Sequence, residues 1–477
     1  MTRRTRREFL EESLLAAAAA ATVPLVPSQA FGQAGRVAPS DQVNIAVVGV
    51  RGRGAGHVGT YIRNKAANVV AIVDPDSAVV GRSMKAAKGA KYYKDLRKML
   101  EDDSIDAVSI ATPNHWHSLA AIWAIQAGKH VYVEKPVSHN IFEGRRVVEA
   151  ARKYGKLVQH GTQARSHKAC QEAIAFLHGG GLGKVNIARG LCYKRRGSIG
   201  QVKGPKQAPK TCDYDLWTGP ADMQPLMRKN LHYDWHWDFN TGNGDIGNQG
   251  VHQMDLARWG LGRDTLPTSV RSGGCRLGYV DDANTPNTQT SICDYGDQQL
   301  IFEVRGLKTP QYKGAHIGVV FHCDDGYLVI GSYSKCHAFD HDGKIIKTFK
   351  GGGDNFGNFV SAVQSGKSGD LNAEILKGHL SAAVCHLGNI SYQLGSPQLL
   401  NATDAPFGDV ESANESFVRL RKHLTDNGID ASKESYNMGP ALTFDPKSER
   451  FTGAHAAAAN KLVTRPYRGA FVVPNEI

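Results

Sequence analysis

Residues 43–160 alternate short apolar runs with helix-like segments, and few architectures accommodate such a repetition. The helix-like segments end at glycines, as at Gly128 and Gly155, and the next apolar run begins within a few residues. The apolar runs occupy residues 43–48, 69–73, 107–111, 130–133 and 157–159. Strands and helices that alternate through short turns form a parallel sheet with helices on both faces. The pattern therefore predicts an α/β domain with a doubly wound parallel sheet.

The first predicted strand ends in a glycine-rich turn that a helix-like segment follows. Glycines at such a turn let the backbone approach a pyrophosphate, and the helix N-terminus supplies free N–H groups. The turn departs from the usual G-x-G-x-x-G spacing, because Arg51 stands where the middle glycine is expected. We predict a dinucleotide phosphate site made by Gly49, Arg51, Gly52, Arg53 and Gly54.

The second predicted strand ends at Asp74, twenty residues after Gly54. A carboxylate at this place accepts hydrogen bonds from the ribose hydroxyls of NAD. Arg51 and Arg53 could instead neutralise the 2′-phosphate of NADP, so NADP stays open as the less favoured alternative. Asp74 therefore predicts NAD as the cofactor.

The first thirty residues have the pattern of an export signal. Arg6-Arg7-Glu8-Phe9-Leu10 precedes an alanine-rich apolar stretch, which is too short for a bilayer core that requires about 20 apolar residues. The paired arginines indicate the twin-arginine translocase, which exports proteins already folded. We therefore expect a signal peptide at 1–30, a linker at 31–42, and a periplasmic or otherwise exported protein with no membrane span.

The 477-residue chain carries a formal net charge of +12, which by itself would suit a nucleic-acid binder. No helix-turn-helix, zinc-finger or RNA-recognition signature accompanies that charge, so we exclude nucleic acid as a partner. The eight cysteines lack the spacing of metal ligands, and no metal site is predicted. Positive charge is concentrated in a basic loop at residues 191–212, which has six basic residues and no acid. These are Lys194, Arg195, Arg196, Lys203, Lys206 and Lys210.

Further motifs resemble those of the Gfo/Idh/MocA oxidoreductase family. Besides the glycine-rich turn they are Thr112-Pro113-Asn114-His115-Trp116-His117, Glu134-Lys135-Pro136, Gly161-Thr162-Gln163-Ala164-Arg165, Trp217-Thr218-Gly219-Pro220-Ala221, the segment from Asp245 to Asp255, and Asn389. The resemblance covers about Val43 to Leu394. It implies a Rossmann dinucleotide-binding domain at 43–160 and a second α+β domain at 161–395 with an open, mostly antiparallel sheet.

The same resemblance implies how the rest of the chain is arranged. A helix near 355–394 returns to the Rossmann domain, a C-terminal extension occupies 396–477, and the protein is a homo-oligomer, a dimer or a tetramer. Alternating apolar residues at 299–304, 318–322 and 326–330 are compatible with strands of the second sheet. Further cofactor contacts are implied at Thr112, Pro113, Asn114, His117, Glu134, Lys135 and Gln163.

Hydride transfer from a carbinol requires a group that takes the hydroxyl proton. The resemblance implies Lys135, which contacts the cofactor ribose and the reacting hydroxyl, and His252, which acts as acid or base. Independently, Asn248, His252 and Asp255 stand at i, i+4 and i+7 of a predicted helix and so share one face. We predict Lys135, His252 and Asn248 as catalytic residues. A hydrogen-bonded core position is the alternative for His252, and a surface ion pair with Glu134 is the alternative for Lys135.

Asn248 departs from the family pattern, because many members carry an aspartate four residues before the histidine. An amide can orient a substrate hydroxyl, but it lacks the negative charge that raises the pKa of a neighbouring group.

Residues 233–238 form an aromatic and polar cluster, which suits a sugar with apolar faces and a rim of hydroxyls. We predict substrate contacts from Trp235, His236, Trp237 and Asp238 of this cluster and from Asp255 of the predicted helix, and the family resemblance implies a further contact from Arg165. An aromatic wedge in the core is the alternative for the cluster. The basic loop is either a solvated surface loop or a cationic lid over an acidic sugar.

Export constrains the mechanism, because no pool of free NAD is maintained outside the cytoplasm. We expect the cofactor to travel inside the folded protein and to stay bound. The predicted function is an NAD(P)-dependent oxidoreductase that acts on a secondary carbinol of a sugar or glycoside. Two alternatives stay open. One is an NAD-dependent glycosidase with a redox-neutral cycle of oxidation, elimination and reduction, and the other is a non-catalytic sugar-binding protein on the same fold.

Overall fold

The first sheet consists of six parallel strands in a computed structural model that describes residues 41–477. The strands are β1 (Val43–Val48), β2 (Ala67–Val73), β3 (Lys91–Tyr93), β4 (Ala107–Ile110), β5 (His130–Val133) and β6 (Val158–His160). Their spatial order is β3-β2-β1-β4-β5-β6, so the direction of winding reverses between β1 and β4. The predicted doubly wound parallel sheet is confirmed. The predicted signal peptide and residues 31–40 of the predicted linker lie outside the described residues.

Helices cover both faces of this sheet, and polar side chains cap two of them. The helices are α1 (Arg53–Arg63), α2 (Gly81–Ala86), α3 (Leu96–Leu100), α4 (His117–Gln126) and α5 (Ile141–Lys153). Asp95 accepts a hydrogen bond from the Arg97 N–H at the start of α3, and Asn140 accepts one from the Glu143 N–H in α5. Strands β1, β2, β4 and β5 are mostly buried, which explains their high content of apolar residues, whereas β3 is largely exposed.

The second sheet is mostly antiparallel, as predicted. Residues up to 350 contribute eight of its strands, among which only the β7–β10 pair is parallel. They are β7 (Val185–Cys192), β8 (Ser269–Cys275), β9 (Thr288–Asp294), β10 (Gln299–Arg305), β11 (Ile317–Cys323), β12 (Gly326–Ser332), β13 (Lys335–Phe339) and β14 (Ile345–Lys350). The helices of this part are α6 (Lys168–His178), α7 (Tyr214–Thr218), α8 (Gly244–Asn248) and α9 (Gly250–Gly260).

Two helices occupy the region where one helix near 355–394 is predicted. They are α10 (Asn355–Ser365) and α11 (Ile375–Gln393), and the chain leaves α10 through Gly366 in the left-handed conformation (φ +70°). Helix α10 packs on the first sheet, where the Phe356 ring stacks 4.7 Å from the Tyr132 ring. Helix α11 is buried along most of its length and packs against α5 and α9.

Residues 396–477 continue the second sheet and then return to the first domain, where the Phe142 N–H donates to the Val463 carbonyl (3.0 Å) and the Phe471 ring lies 5.5 Å from the Trp116 ring; no element is predicted for them. They form β15 (Ser396–Leu399), α12 (Glu411–Asp426), β16 (Ser435–Met438), β17 (Leu442–Asp445), β18 (Arg450–Thr452) and α13 (Ala456–Lys461). Strands β16 and β17 both pair with β8, so the extension continues the second sheet.

No helix between residues 41 and 477 is long and apolar enough to cross a membrane. Over the same range, no group of three or more His, Cys, Asp or Glu side chains is placed to hold a metal ion.

Candidate active site

A cleft of about 600 Å³ lies at the carboxyl ends of β1, β2, β4 and β5. The second domain closes it with α8, α9 and the segment before them. All predicted cofactor residues except Gly54 line the cleft, namely Gly49, Arg51, Gly52, Arg53, Asp74, Thr112, Pro113, Asn114, His117, Glu134, Lys135 and Gln163. The predicted catalytic residues Lys135, Asn248 and His252 line it as well. The fold therefore brings both predicted sets together in one space.

The glycine-rich turn depends on two glycines that no larger residue could replace. Gly49 has φ +81°, and a Cβ atom there would lie 2.8 Å from the Ala111 carbonyl oxygen. A Cβ atom on Gly54 would lie only 2.0 Å from the Gly49 carbonyl oxygen. Helix α1 follows Gly52, which provides no side-chain cap, so the first-turn N–H groups remain available to an anion. Gly54 thus acts through close packing behind the turn.

Asp74 at the end of β2 is held in place by two backbone groups. Its Oδ2 accepts a hydrogen bond from the Val50 N–H (2.9 Å), and its Oδ1 accepts one from the Asp76 N–H (3.0 Å). Burial raises the pKa of this carboxyl, while both hydrogen bonds oppose the rise. The carboxylate lines the cleft near the glycine-rich turn, where it is oriented before any ligand arrives.

Glu134 is buried beneath the cleft with its charge compensated. Its Oε1 accepts a hydrogen bond from Arg53 Nε (2.8 Å) and lies 3.1 Å from His57 Nε2. Burial opposes ionisation, but the His57 hydrogen bond and the charges of Arg53 and Lys135 hold the pKa of Glu134 well below its usual value. Arg53 is thereby engaged by Glu134, which leaves Arg51 as the uncommitted arginine of the turn.

Lys135 spans from the first domain to the second. Its Nζ donates to the Asn248 carbonyl oxygen (2.6 Å) and lies 3.4 Å from Asn248 Oδ1. Burial lowers the pKa of Lys135, and the charges of Arg53, Lys194 and Arg196 lower it further, while Glu134 acts in the opposite direction. Asn248 therefore positions the lysine through its main chain, a contact that aspartate at this position would also allow.

His252 is buried on α9 and lines the cleft. Its Nδ1 has no hydrogen-bond partner. Burial, and next the charge of Lys135, lower the pKa of His252 to about 3, so the imidazole is neutral near pH 7. A neutral imidazole beside an ammonium group is in the protonation state that a general base requires.

The predicted common face of Asn248, His252 and Asp255 is divided in the structure. Helix α8 ends at Asn248 and α9 begins at Gly250, so the residues belong to two helices. Asp255 turns away from the cleft and pairs with Arg165, whose Nε lies 2.8 Å from Asp255 Oδ2 and 3.0 Å from Oδ1. Ser381 also donates to Asp255 (2.7 Å). The substrate contacts predicted for Arg165 and Asp255 are corrected, because their polar groups are engaged with each other outside the cleft lining.

The aromatic cluster is also divided. Trp235 and His236 line the cleft and stack on each other with ring centroids 3.6 Å apart. Trp237 is buried under the Arg196 guanidinium (5.0 Å), and Asp238 accepts hydrogen bonds from the Asn240 N–H and the Asn284 side chain. Neither Trp237 nor Asp238 lines the cleft, so the substrate contacts predicted for these two are corrected as well.

A strap, residues 211–232, forms a wall of the cleft that sequence reasoning missed. Its backbone pairs with the loop after β2, where the Asp213 N–H donates to the Pro75 carbonyl (3.0 Å). Side chains add the Lys94–Asp213 ion pair (3.2 Å) and a hydrogen bond between His232 Nε2 and Asp76 Oδ2 (2.8 Å). The strap contributes Leu216, Trp217 and His232 to the cleft lining, opposite Lys94 and Leu96. Only Trp217 carried a signal, as part of a family motif.

The basic loop sends one side chain into the cleft. Lys194 lines it, and its Nζ lies 3.3 Å from Gln249 Oε1. Arg196 pairs instead with Asp245, at 2.7 Å from Nη2 to Oδ1 and 3.1 Å from Nε to Oδ2. The loop is therefore neither wholly a solvated surface nor wholly a lid.

Two family models match the chain in the regions just described. The Gfo/Idh/MocA model for the NAD-binding Rossmann fold of an oxidoreductase family matches residues 43–162. The model for the C-terminal alpha/beta domain of the same oxidoreductase family matches residues 182–426.

Curated relatives match over parts of their length. Glycosyl hydrolase family 109 protein 2 of Shewanella sp. (strain ANA-3) is 36% identical over 169 residues, which are 31% of this chain and 36% of that protein. Inositol 2-dehydrogenase 2 of Saccharopolyspora erythraea is 28% identical over 245 residues, which are 50% of this chain and 61% of that protein. The matched part is thus about a third to three fifths of the length of these relatives.

Among solved structures, the WlbA dehydrogenase from Bordetella pertussis in complex with NADH and UDP-GlcNAcA superposes with a TM-score of 0.55. It is 20% identical, and the match covers 73% of this chain and 95% of that chain. This likeness concerns the fold.

Proposed function

The chain belongs to the Gfo/Idh/MocA oxidoreductase family, and on that premise we propose that it oxidises or reduces a secondary carbinol of a sugar or glycoside with a nicotinamide cofactor that stays bound. The observation that carries the proposal is the convergence of Lys135 Nζ, Asn248 and a neutral His252 in the cleft that the glycine-rich turn also lines. A carbinol at that place meets both a proton acceptor and an orienting ammonium group.

The residues in the cleft fit a dinucleotide. Gly52 lines the cleft, and a Cβ atom there would meet no other atom within 4 Å, so the turn faces open space. Two buried polar atoms, Thr112 Oγ1 and Gln163 Oε1, lack partners and belong to residues that line the cleft. The turn would hold the phosphates, and Asp74 would hold the adenosine ribose. When bound, the nicotinamide supplies the site that accepts or gives the hydride.

His252 and Lys135 divide the work on the substrate. The place of His252 in the cleft lining and the neutral state of its imidazole support its role as the acceptor of the hydroxyl proton. Lys135, held by Asn248, orients the hydroxyl and stabilises the negative charge that develops on its oxygen.

NAD is the preferred cofactor in this proposal. The Asp74 carboxylate, held by two backbone N–H groups, would repel a 2′-phosphate, and Arg53 is engaged by Glu134. Competitive loading of nucleotide-free protein tests the preference. Tighter binding of NADP than of NAD would reverse it.

The strap supports retention of the cofactor. The Lys94–Asp213 ion pair, the His232–Asp76 hydrogen bond and the backbone pairing join the strap to the segments after β2 and β3, near Asp74. Release of a nucleotide from beneath it requires these contacts to open. Retention agrees with the proposed export to the periplasm by the twin-arginine translocase, and we also retain the homo-oligomer as a proposal.

Purification of the full chain from the periplasm of an expressing host tests export, cofactor retention and redox activity together. We expect stoichiometric NAD or NADH after denaturation, and a change in nicotinamide absorbance when sugars or glycosides are added to the native protein. Protein that contains no nucleotide and binds NAD only weakly would contradict retention. Nucleotide-loaded protein that binds a glycoside without any redox change and without release of its aglycone would favour the non-catalytic alternative.

A second candidate is favoured by the matches to glycosyl hydrolase family 109 proteins. In that reaction the sugar is oxidised, loses its aglycone by elimination, gains water and is reduced again, so the nicotinamide shows no net change. Release of the aglycone from a chromogenic glycoside without added NAD would support it. Sugar oxidation to a stable ketone, without aglycone release, would decide for the dehydrogenase.

A further inference from the structure

The six basic residues of the basic loop have different environments. Arg196 is neutralised by Asp245, and Arg195, Lys203, Lys206 and Lys210 are exposed. Lys194 alone among the six lines the cleft. Its one hydrogen bond runs to the neutral amide of Gln249, and no carboxylate among residues 41–477 lies within ion-pair distance of its Nζ. Lys194 is thus a partly buried cation without an anion.

The part of the cleft around Lys194 carries excess positive charge. Lys135 and Lys194 both point into it, while the nearest lining carboxylate, Glu134, is compensated by Arg53. Asp245 is occupied by Arg196 and does not line the cleft. His236 and His252 are neutral, because burial and the neighbouring lysines lower the pKa of each to about 3. Two ammonium groups therefore face the substrate space without a free counter-charge.

A cation that is partly withdrawn from water and paired only with an amide costs free energy that an anionic ligand would recover. We propose that the substrate is a sugar bearing an anionic group, a carboxylate or a phosphate, and that Lys194 pairs with that group. This inference rests on the proposed function, because it assigns the substrate class of the same cleft. Lys194 is then a specificity-determining residue, while Lys135 and His252 act at the carbinol.

The position of Lys194 argues against the cofactor phosphates as its anion. Its partner Gln249 lies between Asn248 and α9, at the end of the cleft that holds His252. The charge of Lys194 also acts on Lys135 and His236. The glycine-rich turn, where a pyrophosphate would lie, belongs to the first sheet.

Steady-state kinetics of the nucleotide-loaded protein test the assignment on matched sugars, with an artificial electron acceptor present to re-oxidise the bound nicotinamide after each turnover. The panel contains a methyl hexoside, the corresponding methyl hexuronide and the corresponding hexoside 6-phosphate. Wild-type protein should show the highest kcat/KM with one of the two anionic sugars, and the identity of that sugar separates carboxylate from phosphate. Lys194→Gln should raise KM for that sugar about tenfold or more with little change in kcat, and should leave KM for the neutral sugar unchanged.

Two variants serve as controls. Arg195→Gln removes the adjacent but exposed charge, and it should leave both KM values unchanged. Lys194→Arg keeps the charge and should restore most of the preference for the anionic sugar. Equal effects of Lys194→Gln on neutral and anionic sugars would overturn the inference, as would loss of bound NAD in that variant, since Lys194 would then serve the cofactor.

Calorimetry of sugar binding, compared with turnover of the same sugars, distinguishes failure of this inference from failure of the proposed function. Turnover of neutral sugars without any preference for anionic ones would refute the inference and leave the oxidoreductase intact. Binding of an anionic sugar that requires Lys194, without redox change, would uphold the inference and refute the oxidoreductase. Absence of binding to every anionic sugar in the panel would refute the inference.

Discussion

The two ends of the cleft differ in how their ionisable side chains are partnered. At the cofactor end, the protein itself satisfies the two buried carboxylates, since Glu134 binds Arg53 and Asp74 accepts two backbone N–H groups. At the substrate end, Lys194 meets only an amide, and His252 has a bare Nδ1. The difference indicates that the charges at the cofactor end are fixed before a ligand binds, whereas those at the substrate end are completed by the ligand.

The largest effect should come from the unpartnered histidine at the substrate end. His252→Ala removes the proposed proton acceptor, and we expect kcat to fall about 10²- to 10⁴-fold, the usual contribution of a general base. The bound nucleotide should remain, because the cofactor end keeps its own partners. Single-turnover kinetics and the nucleotide content of the purified variant measure the two quantities.

His167→Ala is the matched control for this experiment. Both histidines lie beside the Tyr333 ring, at 5.7 Å for His167 and 6.1 Å for His252, but His167 does not line the cleft. The control should retain kcat. Equal losses in both variants would show that packing around Tyr333 matters rather than proton transfer, and unchanged turnover in His252→Ala would remove the residue from the mechanism.

Asp255 lies on the same helix as His252, yet its carboxylate is fully partnered by Arg165 and Ser381. Arg165→Met would leave the Asp255 carboxylate buried without its cation, which costs about 3–5 kcal/mol in the free energy of unfolding. We expect this loss in denaturant titration, with KM for the sugar unchanged below the unfolding transition. A rise in KM of Arg165→Met without a loss of stability would instead support the predicted contact between Arg165 and the substrate.

Arg421→Met provides the comparison for stability. Arg421 pairs with Asp404, whose side chain is 72% exposed, so water screens the interaction and its loss should cost about 1 kcal/mol or less. Similar losses in the two arginine variants would show that burial of Arg165 does not set its contribution.

The sequence predicted the cofactor end better than the substrate end for a physical reason. Parallel strands all end at one edge, so Gly49, Asp74, Thr112 and Lys135 must meet once the strands are identified. Strand identification was accurate because the buried strands β1, β2, β4 and β5 are mostly apolar, with only isolated polar residues such as Asn44 and Ser109. The strand that was missed, Lys91–Tyr93, has three residues and is largely exposed.

Residues that come from the second domain depend on long-range packing that has no local signal. Helical spacing placed Asp255 with His252, but the break between α8 and α9 and the partner Arg165 turn it away. His232 reaches the cleft only because the strap pairs with the loop after β2. The charge of the basic loop was visible in the sequence, yet only the fold separates Lys194 from Arg196, two residues apart.

The change of kcat/KM with pH is expected to be smaller than the effects of His252→Ala and Arg165→Met. It tests how far water reaches the substrate end of the cleft. A base must be neutral, and the pKa of about 3 keeps His252 neutral well below pH 7, with burial as the largest cause and the Lys135 charge second. Acidification from pH 7 to pH 5 should therefore leave kcat/KM nearly constant, and activity should be lost only as pH falls toward that pKa. A solvated imidazole with a pKa of about 6.5 would instead lose activity about 30-fold at pH 5. A loss of activity with a midpoint at about pH 6.5 would show that water reaches His252 and that the substrate end is hydrated. NMR titration of His252 would show directly whether this histidine is the group that titrates.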